Sequence, residues 1–202
     1  MNYWSGAVDS SDNIFICGLT GFSPNIDFKV SKFDTSGNLV WTKEYAGPGN
    51  FNDEPLAAGV DLNGNIFITG YTTSGEFTRN RDILTLKYLS NGTLSWERIY
   101  NAPANDFDAA YNLSIDYDNN VVVSGWSNRG YNNDQDMIAI KYSNSGDLVW
   151  VNRYNGSGNY TDCVRATVID PDNNCYVSGY VYNNNITGTD FCTIKYNAEG
   201  HL

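Results

Sequence analysis

The decapeptide DLNGNIFITG (residues 61–70) decides the reading of this chain, because three further versions of it are present: DSSDNIFICG (9–18), DYDNNVVVSG (116–125) and DPDNNCYVSG (170–179). Each opens on Asp, continues through turn-forming residues into an apolar run, and ends on Gly. Read alone, DYDNN looks like the start of a calcium loop. Read together, four copies at steps of 52, 55 and 54 residues are a fixed-period repeat, and a repeat sets the architecture before any single motif does.

Other columns keep the same step. Asp27, Asp82, Asp136 and Asp190 open a later strand-like run, and Lys32, Lys87, Lys141 and Lys195 stand near its end. Gly37, Gly92, Gly146 and Gly200 close the next turn. Trp41, Trp96 and Trp150 follow, each with a tyrosine four residues on at Tyr45, Tyr100 and Tyr154. Within one period four short strand-like runs are separated by turn signals; in the second copy they are Leu56–Asp61, Asn65–Tyr71, Asp82–Leu89 and Thr93–Tyr100. Such spacing belongs to an all-β sheet unit.

Four antiparallel strands in about 50 residues, repeated side by side, are the sequence form of a β-propeller blade. The chain therefore reads as one all-β propeller segment over 1–202, with blades at approximately 1–47, 48–102, 103–156 and 157–202, the last without its outer strand. The middle runs are apolar on both faces, as a sheet held between two neighbours requires. In the outer strand, Leu94, Trp96, Arg98 and Tyr100 share a face by the period of two, which aims the Trp face at an adjacent blade. An open arc of four blades would expose apolar faces on its first and last members, and self-association through them is an expectation.

Composition agrees with strands: 15 Tyr, 9 Phe and 5 Trp accompany 19 Gly, and only 17% of residues are charged. A net charge of -11 disfavours nucleic acid and anionic membrane surfaces as partners and leaves neutral or cationic ligands open. No apolar stretch nears the roughly 20 residues of a membrane span, so no insertion is expected, and Met1 is followed by no basic leader. Cys17, Cys163, Cys175 and Cys192 share no repeat column. They are either free thiols filling small apolar positions or, for two of the last three, a disulfide.

The pattern Trp…Tyr…Asp…Asp-x-x-Gly-Asn-Ile-Phe-Ile-Thr-Gly…Asp-x-x-x-x-Lys-Tyr-x-x-x-Gly runs through residues 41–92, and its counterpart runs through 96–146. It resembles the bacterial β-propeller repeat called SBBP and, more distantly, the NHL repeat. The resemblance spans essentially the whole chain. It implies a propeller and an extracellular or cell-surface bacterial protein, and it implies no single activity, since one such frame hosts many functions.

The Asp-led turns suit a type I turn followed by a residue of positive φ, and the column at that place reads Asp12, Gly64, Asn119 and Asn173. The leading Asp61, Asp116 and Asp170 can hold turn amides without any ligand. Calcium would need six or seven oxygens and a downstream bidentate acid; Asp116 with Asp118 is the best candidate pair, and no other cofactor is implied. The lysine column, Lys87, Lys141 and Lys195 included, reads as structural, since a catalytic group is needed once and a structural group in every blade. Its ammonium groups are expected to pair with the column Asp53, Asp108 and Asp162.

The long connections between second and third strands differ from copy to copy, as expected where function is grafted on a frame. Their aromatic, amide and cationic residues suit recognition of a protein or glycan, with Phe77, Arg79, Trp126, Arg129, Tyr131 and Tyr182 as candidate ligand-binding residues. The alternative is a purely structural spacer within a larger propeller. Enzyme chemistry has little sequence support. The single histidine is His201, which leaves no Ser-His-Asp triad or multi-histidine metal site; a hydrolase or lyase using carboxylates and a metal is the remaining catalytic reading.

Overall fold

A computed structural model describes residues 5–22, 25–48, 51–74, 80–103, 106–128, 135–184 and 188–202. The chain forms four antiparallel meanders, each with strands in chain order. The first contains β1 (Ser5–Val8), β2 (Ile14–Phe22), β3 (Asn25–Phe33) and β4 (Leu39–Tyr45). The second contains β5 (Asp53–Val60), β6 (Ile66–Thr73), β7 (Arg81–Tyr88) and β8 (Leu94–Tyr100). The third contains β9 (Asp108–Ile115), β10 (Val121–Asn128), β11 (Gln135–Tyr142) and β12 (Leu148–Tyr154). The fourth has three strands, β13 (Cys163–Ile169), β14 (Cys175–Asn184) and β15 (Gly188–Tyr196). This is the propeller arrangement expected from the repeat. The first strands β1, β5, β9 and β13 pack on one another in turn and line the axis.

Local chemistry explains the turns. Asp12, Asn119 and Asn173 have φ near +62°, and Gly64 has +75°, the left-handed conformation these residue types tolerate. Asp116 Oδ1 accepts hydrogen bonds from the amides of Asp118 and Asn120, and its Oδ2 accepts one from Asn120 Nδ2. Asp9, Asp61 and Asp170 repeat the scheme. A five-residue polar stretch thus satisfies its own backbone before the apolar strand begins.

The lysines pair with these turn aspartates and not with the expected column. Lys32, Lys87 and Lys141 lie 3.5, 3.9 and 2.9 Å from Asp9, Asp61 and Asp116. Each also donates to a carbonyl in the following blade, at Ser90, Asn144 and Ala198. The expectation failed because Asp53, Asp108 and Asp162 stand at the other end of the sheet, where they accept from the amides of Gly47, Ala102 and Gly156. Lys195, in the fourth sheet, is exposed and rests 5.2 Å over the Tyr176 ring.

Each Trp of the outer-strand column closes an inter-blade contact. The indole N–H of Trp41, Trp96 and Trp150 donates to the carbonyls of Ser90, Asn144 and Ala198 at 3.1, 3.0 and 3.2 Å. The rings lie 6.4, 6.0 and 5.7 Å from Tyr88, Tyr142 and Tyr196 of the next sheet. Three apolar clusters fill the three interfaces, for example Phe67, Ile83 and Trp96 against Val121, Val123, Ile138 and Ile140. Strands β6 and β7 are buried along almost their whole length.

The terminal sheets differ. Ile14 and Ile16, whose counterparts Ile66 and Ile68 are buried, are 42% and 45% exposed, and Phe191 is 81% exposed. Lys29 and Ser31 stand where the inner blades carry Leu84 and Leu86. Among the described residues the sheets pack in the order β1, β5, β9, β13 and these outer faces stay exposed, so the described blades form an open arc. All four cysteines are free thiols, and burial pushes Cys17 and Cys175 up to about 12.

Candidate functional site

The two rims of the arc have different chemistry. On one rim the tight turns of a blade touch: Ser90 N donates to Asn65 Oδ1 and Asn144 N to Asn120 Oδ1. Successive blades are stitched by Leu62 N on Asn119 Oδ1 and Tyr117 N on Asn173 Oδ1. Asp118 sits here and accepts from Asn173 Nδ2 at 2.7 Å. Both oxygens of Asp116 are occupied by its own turn and by Lys141. A cavity of about 290 Å³ between the first two blades is lined by the same repeated groups, Asp9, Lys32 and Ser90 among them.

The opposite rim carries the strand ends that flank the variable connections. Phe77, Arg79, Arg129 and Tyr131 lie outside the described residues. Trp126 and Tyr182 are on strands and not in loops: Trp126 pairs with Ala109 and Met137, and Tyr182 pairs with Thr189 in an extended hairpin. The turn signals misplaced these boundaries because polar and aromatic residues continue the β ladder past the apolar run. The hairpin joining β2 and β3 likewise runs out to Phe22 opposite Asn25. Trp126 and Tyr182 do not meet. Tyr182 packs edge-on to Tyr160 at 5.0 Å, whereas Trp126 stacks on Phe107 at 4.7 Å and 15°.

That stack belongs to a ladder the sequence reading missed. The Arg81 guanidinium lies 4.0 Å over Tyr71 and 4.4 Å over Phe107; Trp126 follows Phe107, and Tyr111 follows Trp126 at 6.0 Å. Ring faces attract a guanidinium, and offset rings attract one another. The ladder joins the second blade to the third and ends at the axis.

The axial end is built by a β-bulge present in three blades. Leu56, Tyr111 and Arg165 are each the unpaired extra residue of a first strand. Opposite them stand Gly70, Gly125 and Gly179, where an added Cβ would lie 1.9 Å from the carbonyl oxygens of Glu54, Ala109 and Cys163. Only glycine admits so close an approach, and the bulge re-aims the extra side chain. The constant glycine column thus holds a column that varies from apolar to aromatic to cationic. That contrast is the sequence signal that would have found it.

Tyr111 and Asn112 of β9, Trp126 of β10, and Cys163, Val164 and Arg165 of β13 line a cavity of about 370 Å³ between the third and fourth blades. Arg165 is exposed, stands 5.3 Å over the Tyr180 ring, and has no ion pair to a described carboxylate. Arg153, by contrast, is paired with Asp136 at 3.5 Å. Farther along the rim, burial, and then the charge of Asp108, push the Asp82 carboxyl up to about 6.

These features define an open array of propeller blades with a cleft of about 370 Å³ at its axis. No family model matches the chain, and no curated protein matches it. Among solved structures it is similar to a variant of Synechocystis apocarotenoid oxygenase, at 11% identity and TM-score 0.50, over 98% of this chain and 47% of that one. It is also similar to a Bombyx mori GH32 beta-fructofuranosidase variant in complex with sucrose, at 9% identity and TM-score 0.43, over 98% of this chain and 46% of that one. The chain spans about half the length of these structures. At such identities the first likeness supports the propeller fold alone.

Proposed function

We propose that the chain is a non-catalytic protein- or glycan-binding module of a bacterial extracellular or surface protein. The observation that carries this reading is the bulge column: Leu56, Tyr111 and Arg165 change chemistry while the Asp-led turns and the glycines opposite the bulge stay constant. A frame that holds one varied column toward its axis serves recognition, because selection on the frame is for shape and selection on the column is for contact. The resemblance to SBBP repeats supports the bacterial and extracellular parts of the proposal. Lys32, Lys87 and Lys141 and the turn aspartates Asp9, Asp61 and Asp116 are engaged with one another and with turn amides, which suits structure rather than turnover.

A second reading, a section of a larger propeller, is favoured by the exposed Ile14, Ile16 and Phe191, whose counterparts are covered by a neighbouring blade. The two readings are compatible, since a larger ring still needs a binding surface. Screening the chain against glycan and protein arrays tests the first. Retention of at least one ligand is expected, weakened by Trp126→Ala or Tyr182→Ala; a chain that retains none would leave only the spacer.

A further inference from the structure

We infer that the axial cleft between the third and fourth blades seats a pyranose ring carrying a single carboxylate, as in a uronic acid unit of a mostly uncharged glycan. This deepens the binding-module reading and rests on it. The cavity, about 370 Å³, falls within the roughly 300–1,000 Å³ of small-ligand sites. Among the described residues its lining contains a cation, Arg165, and no acid, although the whole chain carries 23 acidic and 12 basic residues. The Arg165 guanidinium contacts the Tyr180 side chain and pairs with no described carboxylate, which leaves its fork suited to a planar, bidentate carboxylate.

The neighbouring groups fit the rest of such a ligand. Tyr111 and Arg165 occupy the same bulge position one blade apart, so the fold turns both toward the axis. The electron-rich face of an aromatic ring attracts the C–H edge of a sugar, and Tyr111 is held by the stack through Trp126 and Phe107. Asn112 supplies both an amide donor and an acceptor for ring hydroxyls.

The net charge of -11 refines the ligand class. Charges separated by more than about 8 Å are largely screened at physiological ionic strength. A dense polyanion would bring many carboxylates against acidic surface, whereas an isolated one meets Arg165 alone.

The test titrates the 202-residue chain with the methyl glycosides of glucuronic, galacturonic and mannuronic acids, each beside its matching neutral hexoside. Binding is read by ligand-observed NMR, with the glycan and protein arrays run in parallel. For at least one configuration the uronide should bind about tenfold tighter than its hexoside. Arg165→Gln should erase that preference while leaving the melting temperature unchanged, since the side chain is exposed. Tyr111→Ala should weaken uronide and hexoside alike. Equal binding of uronide and hexoside, or a preference that survives Arg165→Gln, overturns the inference. So does an array on which the chain binds proteins and no sugars, although that result keeps the binding-module reading. A chain that binds nothing on either array removes both.

Discussion

Lys141 Nζ lies 2.9 Å from Asp116 Oδ2, with 6% and 0% of the two side chains exposed, and the same ammonium donates to Ala198 O in the next blade at 3.3 Å. One buried ion pair therefore joins a turn, a strand and a neighbouring blade. Its two halves are not equivalent. Asp116→Ala strips the turn amides of their acceptor and leaves a buried ammonium unpaired, so a loss of about 3–5 kcal/mol is expected. Lys141→Met keeps the alkyl stem, and Asp116 remains held by three turn donors, so a loss nearer ~1–2 kcal/mol is expected. Urea denaturation of both variants decides; the reverse order would mean the turn is not organised by its aspartate.

The glycine opposite the bulge should be far less replaceable than a glycine in a turn. An added Cβ at Gly125 meets Ala109 O at 1.9 Å, whereas at Gly37, with φ of +80°, nothing lies within 4 Å. Gly37→Ala then costs only the left-handed backbone, about 1–2 kcal/mol. Gly125→Ala must push two strands apart and is expected to cost about 3 kcal/mol or more. Thermal melts of the two variants measure the difference, and similar midpoints would show that the close approach is relaxed at little cost.

Asp82 should make the fold less stable at neutral pH than in mild acid. Its carboxyl is raised from the usual 3.8 to about 6, by burial first and then by Asp108. Between those values the folded chain holds more protons at this site than the unfolded chain, so its contribution to stability falls as pH rises through that window. Asp82→Asn removes the charge. Allowing for solvent screening, a gain of about 1 kcal/mol, or about 2–4 °C in melting temperature, is expected near pH 7. No gain is expected near pH 4, and an equal gain at both would assign the effect to packing.

Exposed apolar faces at both ends of the arc should make the isolated chain associate. Phe191 is 81% exposed, and Ile14 and Ile16 are near half exposed, on faces whose inner counterparts are covered. Light scattering after size exclusion should show species larger than the monomer, diminished by Phe191→Lys or by Ile16→Lys. A monodisperse wild-type monomer would count against association through these faces.

Much of the frame was legible because a repeat multiplies weak signals. One Asp-led turn is ambiguous between a hairpin and a calcium loop, but the recurrence of Asp12, Gly64, Asn119 and Asn173 in one column pointed to positive φ, which all four adopt. The partner of each lysine was not legible. Two aspartate columns stand at suitable spacing, and only the register of the sheet places Asp9, Asp61 and Asp116 at the lysine end. The candidate cleft was hidden for a related reason. A bulge residue breaks the alternation that a strand pattern relies on, so Tyr111 and Arg165 read as ordinary members of a first strand.

The sequence by itself determined the period, the four-stranded unit and the antiparallel blade, because turn chemistry and alternation act over neighbouring residues. Tertiary structure alone decided which aspartate each lysine meets, which faces stay uncovered, and that Tyr111, Asn112, Trp126 and Arg165 share one cleft. The lysine pairs are set by register within one sheet, between residues 23 to 26 positions apart, whereas Tyr111 and Arg165, 54 positions apart, meet through the approach of separate sheets. Their distances depend on how a glycine lets two backbones close together and on how one blade settles on the next.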